Sequence, residues 1–128
     1  MAIARLQLAA LDCPDPLALA QFYSAITGWD VRPPSMDDPD WVQLVSDTGV
    51  TLAFQRVEDY RPPAWPGQDV PQQAHLDFEV ADIAEGERAL LDLGVRRHPV
   101  QPEPDGFVVF LDPAGHPFCL VRAPVGDD

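Results

Sequence analysis

The chain has 128 residues, 46% of them hydrophobic, with a formal charge of −13 and an isoelectric point near 4.2. That length can bury one core without a disulfide or metal to hold it, and the acidity excludes a phosphate-backbone partner, which needs clustered Lys and Arg. All eight basic residues are Arg, so no nucleic-acid partner is expected. No apolar run is long enough for a secretory signal core or a bilayer span. The expectation is a cytoplasmic protein with no membrane partner, in which Cys13 and Cys119 stay reduced.

Taken in chain order, the first signals are a strand leading to Asp12 and then a capped helix. Asp15 is an N-cap with Pro16 at the first helical position, Leu19, Phe22 and Ile26 follow at helical spacing, and Gly28 ends the run. Short strand signals come next at 30–32, 41–45 and 51–57. A Pro-rich connector, residues 58–73, separates this half from a second with the same order. There "QQAHLDFEV" (72–80) reads as a strand. Asp82 and Glu85 have the capping-box spacing, Ile83, Leu90 and Leu93 supply a buried stripe, and Gly86 weakens the helix. Strand signals close the half at 96–99, 107–111 and 117–122.

The two halves form an internal repeat, about 5–57 and 74–122, within a single domain spanning 1–128. Aligning Asp15 with Asp82 sets Leu8 opposite His75; the helices end at Gly28 and Gly94 with one residue of slippage, after which Gly49 falls opposite Gly115 and Ala53 opposite Cys119. Each half reads as βαβββ, whose sheet has one face covered by its own helix and the other bare.

Alternation along the second half's first strand puts His75, Asp77 and Glu79 on one face and Leu76, Phe78 and Val80 on the other. His75 is therefore the candidate catalytic base or ligand partner, with Asp77 in position to orient it; the bland alternative is a hydrogen-bonded residue of the wetter face. Cys119 is more often a small buried apolar residue than a nucleophile, and Cys13 ends a strand ahead of a helix cap. Gln55 is the amide candidate for a binding face, against a solvated strand end. The aromatics Trp41, Tyr60, Trp65 and Phe110 can wall a planar ligand or simply fill core. His116 falls in a Pro and Gly turn and is expected exposed, with Asp112 stabilising that turn. There is no nucleophile elbow, P-loop or dinucleotide-binding glycine motif.

The segments "LDCPDPLALAQFY", "TGW", "AHLDFEV", "LGV" and "DPAGHPFCL" resemble the vicinal oxygen chelate superfamily, which includes glyoxalase I, bleomycin-resistance proteins and extradiol dioxygenases. The match is nearest to its small glyoxalase-like proteins. The resemblance implies an α+β fold: two βαβββ modules forming a curved mixed sheet with a concave cleft and the helices outside. It also implies metal-ligand positions at Leu8, Ala53, His75 and Cys119, of which only His75 keeps the usual ligand type. Leu52 and Phe54 are expected against the helix, leaving Ala53 and Gln55 on the open face.

A catalytic metal normally takes three protein ligands plus an open position, and Leu and Ala donate nothing. The leading expectation is therefore a glyoxalase-like protein without the family metal tetrad or any other cofactor. It would bind a small cationic or aromatic molecule through Gln55, His75, Asp77, Cys119, Trp41, Tyr60, Trp65 and Phe110, by sequestration or with acid–base chemistry at His75. One alternative is a divalent-metal-dependent lyase, isomerase or dioxygenase with unusual ligands; another is a non-catalytic module binding a protein partner through the connector. Both a monomer and a homodimer fit the repeat.

Overall fold

In the computed structural model, which describes residues 2–123, the elements run β1 (Ala9–Cys13), α1 (Pro16–Thr27), β2 (Asp30–Arg32), β3 (Trp41–Val45) and β4 (Thr51–Arg56). They continue with β5 (Leu76–Val80), α2 (Ile83–Asp92), β6 (Arg96–Arg97), β7 (Phe107–Leu111) and β8 (Pro117–Arg122). This is an α+β fold with two four-stranded mixed sheets, ordered β1-β4-β3-β2 and β5-β8-β7-β6. The chain divides into two compact units between Tyr60 and Arg61, each with one sheet and one helix.

The repeat is legible in the register. β1 pairs in parallel with β4, with Ala10 opposite Ala53, and β3 runs antiparallel to β4, with Gln43 opposite Ala53. In the second unit Asp77 stands opposite Cys119 across β5 and β8, and Val109 stands opposite Cys119 across β7 and β8. Leu8 and His75 each lie one residue before their first strand, so the alignment of Leu8 with His75 and of Ala53 with Cys119 matches the sheet register. The expected strand at 72–80 starts only at Leu76, and the one at 96–99 stops at Arg97.

Helix α1 forms where its caps predict. The Asp15 carboxylate accepts from the Ala18 N–H at 3.1 Å, Pro16 opens the helix, and Gly28 closes it at φ 76° with its N–H donating to the Ser24 carbonyl. The buried face is Pro16, Leu19, Ala20 and Tyr23, while Phe22 and Ile26 are only half-buried; the core-facing stripe is therefore rotated slightly from the expected one. Tyr23 stacks on Phe54 with ring centroids 5.8 Å apart. That contact puts Phe54, and by alternation Leu52, on the helix side as expected.

Helix α2 is capped by Asp82, whose carboxylate accepts from the Glu85 N–H at 3.1 Å. Only Leu90 of this helix is buried. Leu93, expected in the buried stripe, is 58% exposed because the helix ends at Asp92 and Val95 turns into the core instead. Gly86 has a packing reason: a Cβ there would lie 3.0 Å from Leu120 Cδ1 and 3.1 Å from Val80 Cγ1, so glycine lets α2 approach the sheet.

The strands before the last in each unit end in matching turns. Gly49 and Gly115 both sit at positive φ, 95° and 85°. In the second turn the Asp112 carboxylate accepts from the N–H groups of Ala114 and His116, each at 2.9 Å, as its predicted turn role requires. His116 is 1% exposed, not the exposed loop residue expected. Its backbone is drawn in by Asp112, and Pro62 of the connector packs over the adjacent Gly115. No helix among the described residues is long and apolar enough to cross a membrane.

Candidate functional site

The strand alternation of the second unit separates two kinds of surface. Val108, Phe110, Phe118 and Leu120 are buried on the α2 side, where Phe110 stacks on Phe118 at 5.8 Å. Phe107, Val109, Pro117 and Cys119 point to the opposite face. On that face a cavity of about 160 Å³ is lined by these four residues together with Trp65, Gln72 and His75. Its volume is close to the ~150 Å³ that accommodates a benzene-sized guest in an apolar protein cavity, and below the range for a whole drug-sized ligand. It fits one ring of a ligand.

Polar groups gather at one side of this cavity. His75 Nε2 lies 3.6 Å from Asp77 Oδ1, with the two side chains 48% and 51% exposed. That separation is an electrostatic approach, too long for a strong hydrogen bond. Asp77 also faces Cys119, its partner in the register. Burial pushes the Cys119 thiol up to about 11, and the Asp77 charge and a hydrogen bond to Asp77 add to the shift. The thiol is therefore neutral near pH 7 and serves as a weak donor, with no thiolate for nucleophilic attack.

The outer wall is built by the connector. Trp65 meets His98 edge-on, with ring centroids 5.1 Å apart, and its carbonyl lies 3.1 Å from His98 Nε2. The Val100 N–H donates to His98 Nδ1 at 2.9 Å. Gln101 extends the ladder past β6: its amide donates to the His98 and Val109 carbonyls at 2.8 and 2.9 Å and accepts from the Val109 N–H at 2.9 Å.

Of the residues singled out in the sequence, the cavity brings together His75, Cys119 and Trp65, with Asp77 beside His75. Phe110 is fully buried on the α2 side and does not reach it. Gln55 and Trp41 are register partners in the first unit, and Tyr60 is the last residue of that unit. Gln72, Phe107, Val109, Pro117 and His98 were not foreseen. The alternation of 107–111 carried a signal for Phe107 and Val109, but choosing between them and Phe110 needs the β7–β8 register, which the Asp112 turn sets.

At the family's metal positions, the side chains of Leu8 and Ala53 have no lone pair to offer, which leaves His75 and Cys119 as the two possible donors. This donor set does not fit a catalytic divalent metal. Among the described residues no group of three or more His, Cys, Asp or Glu is placed to hold one.

Residues 9–121 match the family model described as Glyoxalase-like domain. No curated protein matches the chain in sequence. Among solved structures, a possible glyoxalase from Bacillus cereus superposes with a TM-score of 0.67 at 13% identity, covering 93% of this chain and 99% of its own. TnmS3, an antibiotic binding protein from a Streptomyces species, gives 0.64 at 22% identity, covering 95% and 98%. A point mutant of the fosfomycin resistance protein FosX from Listeria monocytogenes, in complex with Mn(II) and dihydroxypropylphosphonic acid, gives 0.70 at 17% identity, covering 97% and 94%. At these identities the likeness is one of fold.

Proposed function

Because the chain belongs to the glyoxalase-like domain family, we propose that it binds a small organic molecule on the second unit's open sheet face, without a resident metal. The observation that carries this reading is the cavity between Trp65, Phe107, Val109 and Pro117, with His75 and Cys119 at its side. Its apolar walls accept a ring-sized group. Among the described residues no Arg lines it, and Asp77 sits next to His75, which favours a neutral or cationic ligand over an anion. The hydrocarbon side chains of Leu8 and Ala53 support binding without the metal tetrad. A cytoplasmic site of action agrees with Cys13 and Cys119 both standing outside any disulfide.

A second reading, acid–base chemistry on the bound molecule, is favoured by the His75–Asp77 approach at 3.6 Å. In that reading Asp77 orients the imidazole, while His75 takes a proton from the ligand.

The test is an NMR titration with toluene and benzylamine, a neutral and a cationic single-ring compound. Shifts centred on Val109, Cys119 and Trp65 are expected, weakened at least about tenfold in affinity, or ~1.4 kcal/mol, in Trp65→Ala. Benzylamine should lose affinity in Asp77→Asn while toluene does not. Shifts confined to other surfaces, or binding indifferent to Trp65→Ala, would remove the proposal.

A further inference from the structure

Trp65 lines the cavity but belongs to an irregular connector, so its position depends on whatever fastens it. The fastening runs through one imidazole. His98 is 8% exposed, its Nδ1 accepts the Val100 N–H at 2.9 Å, and its Nε2 lies 3.1 Å from the Trp65 carbonyl. A nitrogen that accepts an N–H carries no proton of its own, and a nitrogen facing a carbonyl must carry one. The arrangement therefore specifies one neutral tautomer, with the proton on Nε2.

We propose that His98 is a pH-sensitive positioning residue, a latch that holds Trp65 as a wall of the cavity while its imidazole is neutral and releases it on protonation. A second proton would enter at Nδ1 and place N–H against N–H at Val100. The cation would also sit nearly buried with no anion beside it, since the ion pairs of the described residues join His75 to Asp77 and Arg97 to Glu87. The charged and titratable groups on the neighbouring elements form no ion pair with the ring among the described residues. The ring's own partners, Trp65 of the connector and Val100 of the following turn, are uncharged, as is Val109 of β7, which pairs with the His98 backbone. Arg97 on β6 turns to Glu87 of α2 at 3.0 Å, which adds no negative charge to the His98 side. His75 just before β5 and Cys119 of β8 border the cavity that Trp65 closes, and Asp77 of β5 lies beside His75. Asp69 of the connector and Glu103 and Asp105 of the loop before β7 are exposed. Because Gln101 pins the His98 carbonyl to the β7 edge, the strain is relieved by the ring and by Trp65, while the strand stays in place.

The proposal rests on the cavity reading for its consequence, weaker ligand binding at low pH, but the latch is measurable without a ligand. In a Trp29→Phe, Trp41→Phe background Trp65 is the sole indole, and its acrylamide quenching is followed from about pH 8 to pH 5. Quenching is expected to rise several-fold as the pH falls, with far-ultraviolet circular dichroism unchanged. In His98→Gln, which keeps a donor and an acceptor but takes up no proton, quenching is expected to stay flat. The same transition surviving in His98→Gln, or none in the parent, overturns the latch. A parent transition abolished in His98→Gln, with toluene failing to bind at any pH, establishes the latch and counts against the cavity as a ligand site.

Discussion

The two units use one register to opposite ends. In the first, the sheet face away from α1 carries Leu8, Ala10, Gln43 and Ala53; in the second, the corresponding positions carry His75, Asp77, Val109 and Cys119. The packing is distributed differently as well. Helix α1 buries four side chains and sends Tyr23 onto Phe54, whereas α2 buries only Leu90 and the second unit's aromatic cluster, Phe78, Phe110 and Phe118, is assembled within its own sheet. Repeating a fold thus leaves its two copies free to specialise. One copy holds hydrocarbon where the other holds an imidazole, a carboxylate and a thiol, and the copy with the chemistry depends least on its helix for burial.

The largest expected effects test that difference in packing. Phe54→Ala and Phe118→Ala each remove a ring with 0% exposure and should cost about 3–5 kcal/mol in urea unfolding. Tyr23→Ala should approach the Phe54 value because the two rings stack. Removal of the α2 side chain Glu85, which is exposed, should stay within about 0.5 kcal/mol. A loss below about 1 kcal/mol at Phe118 would mean that the in-sheet cluster does not hold the second unit.

How much of this was written in the sequence differs by element. The helix starts were legible because Asp15–Pro16 and Asp82 to Glu85 act locally, through a carboxylate and the N–H groups three residues on. The pairing of Leu8 with His75 was legible because both units share the same order of turns, with Gly49 and Gly115 at positive φ. What could not be read were non-local facts. His116 looks like a turn residue until Pro62 is seen packed on Gly115. His98 carries no motif, and its role appears only when the connector folds back to place the Trp65 carbonyl on its Nε2. Phe110 was a plausible wall residue because an aromatic strand position does not reveal which face it takes.

The caps offer the next effect in size. Asp15→Ala and Asp82→Ala should each cost about 1 kcal/mol, since each carboxylate accepts one N–H at 3.1 Å. The contrast should appear in hydrogen exchange. With a single buried side chain to hold it, α2 should lose protection throughout in Asp82→Ala, while α1 in Asp15→Ala should fray only at its first turn. Equal loss in both helices would erase the distinction in packing drawn above.

Cys119 gives a pH-dependent contrast with ordinary thiols. Its folded-state value is raised from 9.0 to about 11, chiefly by burial and then by Asp77. The neutral thiol is thus favoured in the folded chain. Its stabilising effect is complete below pH 9.0, where the unfolded thiol is also neutral, and is lost as the pH rises towards about 11. In a Cys13→Ala background, iodoacetamide should react slowly at pH 8. Asp77→Asn should speed the reaction by removing the charge and its bond but not the burial, so the rate should remain below that of a free thiol. An unchanged rate in Asp77→Asn would leave burial as the whole cause.

The smallest expected effect comes from exchanging chemistry between the units. Ala10 and Asp77 occupy corresponding register positions, opposite Ala53 and Cys119, and both are exposed. Ala10→Asp should change stability by no more than about 0.5 kcal/mol, because it adds a solvated carboxylate to a face with no thiol or imidazole to engage. Asp77→Ala should cost up to about 1 kcal/mol by ending the exposed approach to His75 and leaving the Cys119 S–H without its acceptor. Paired urea titrations of the two variants measure how far that carboxylate is embedded in its surroundings. Equal costs would mean that Asp77 is as loosely held as an added surface acid, and the His75–Asp77–Cys119 face would then be a set of neighbours with no energetic coupling.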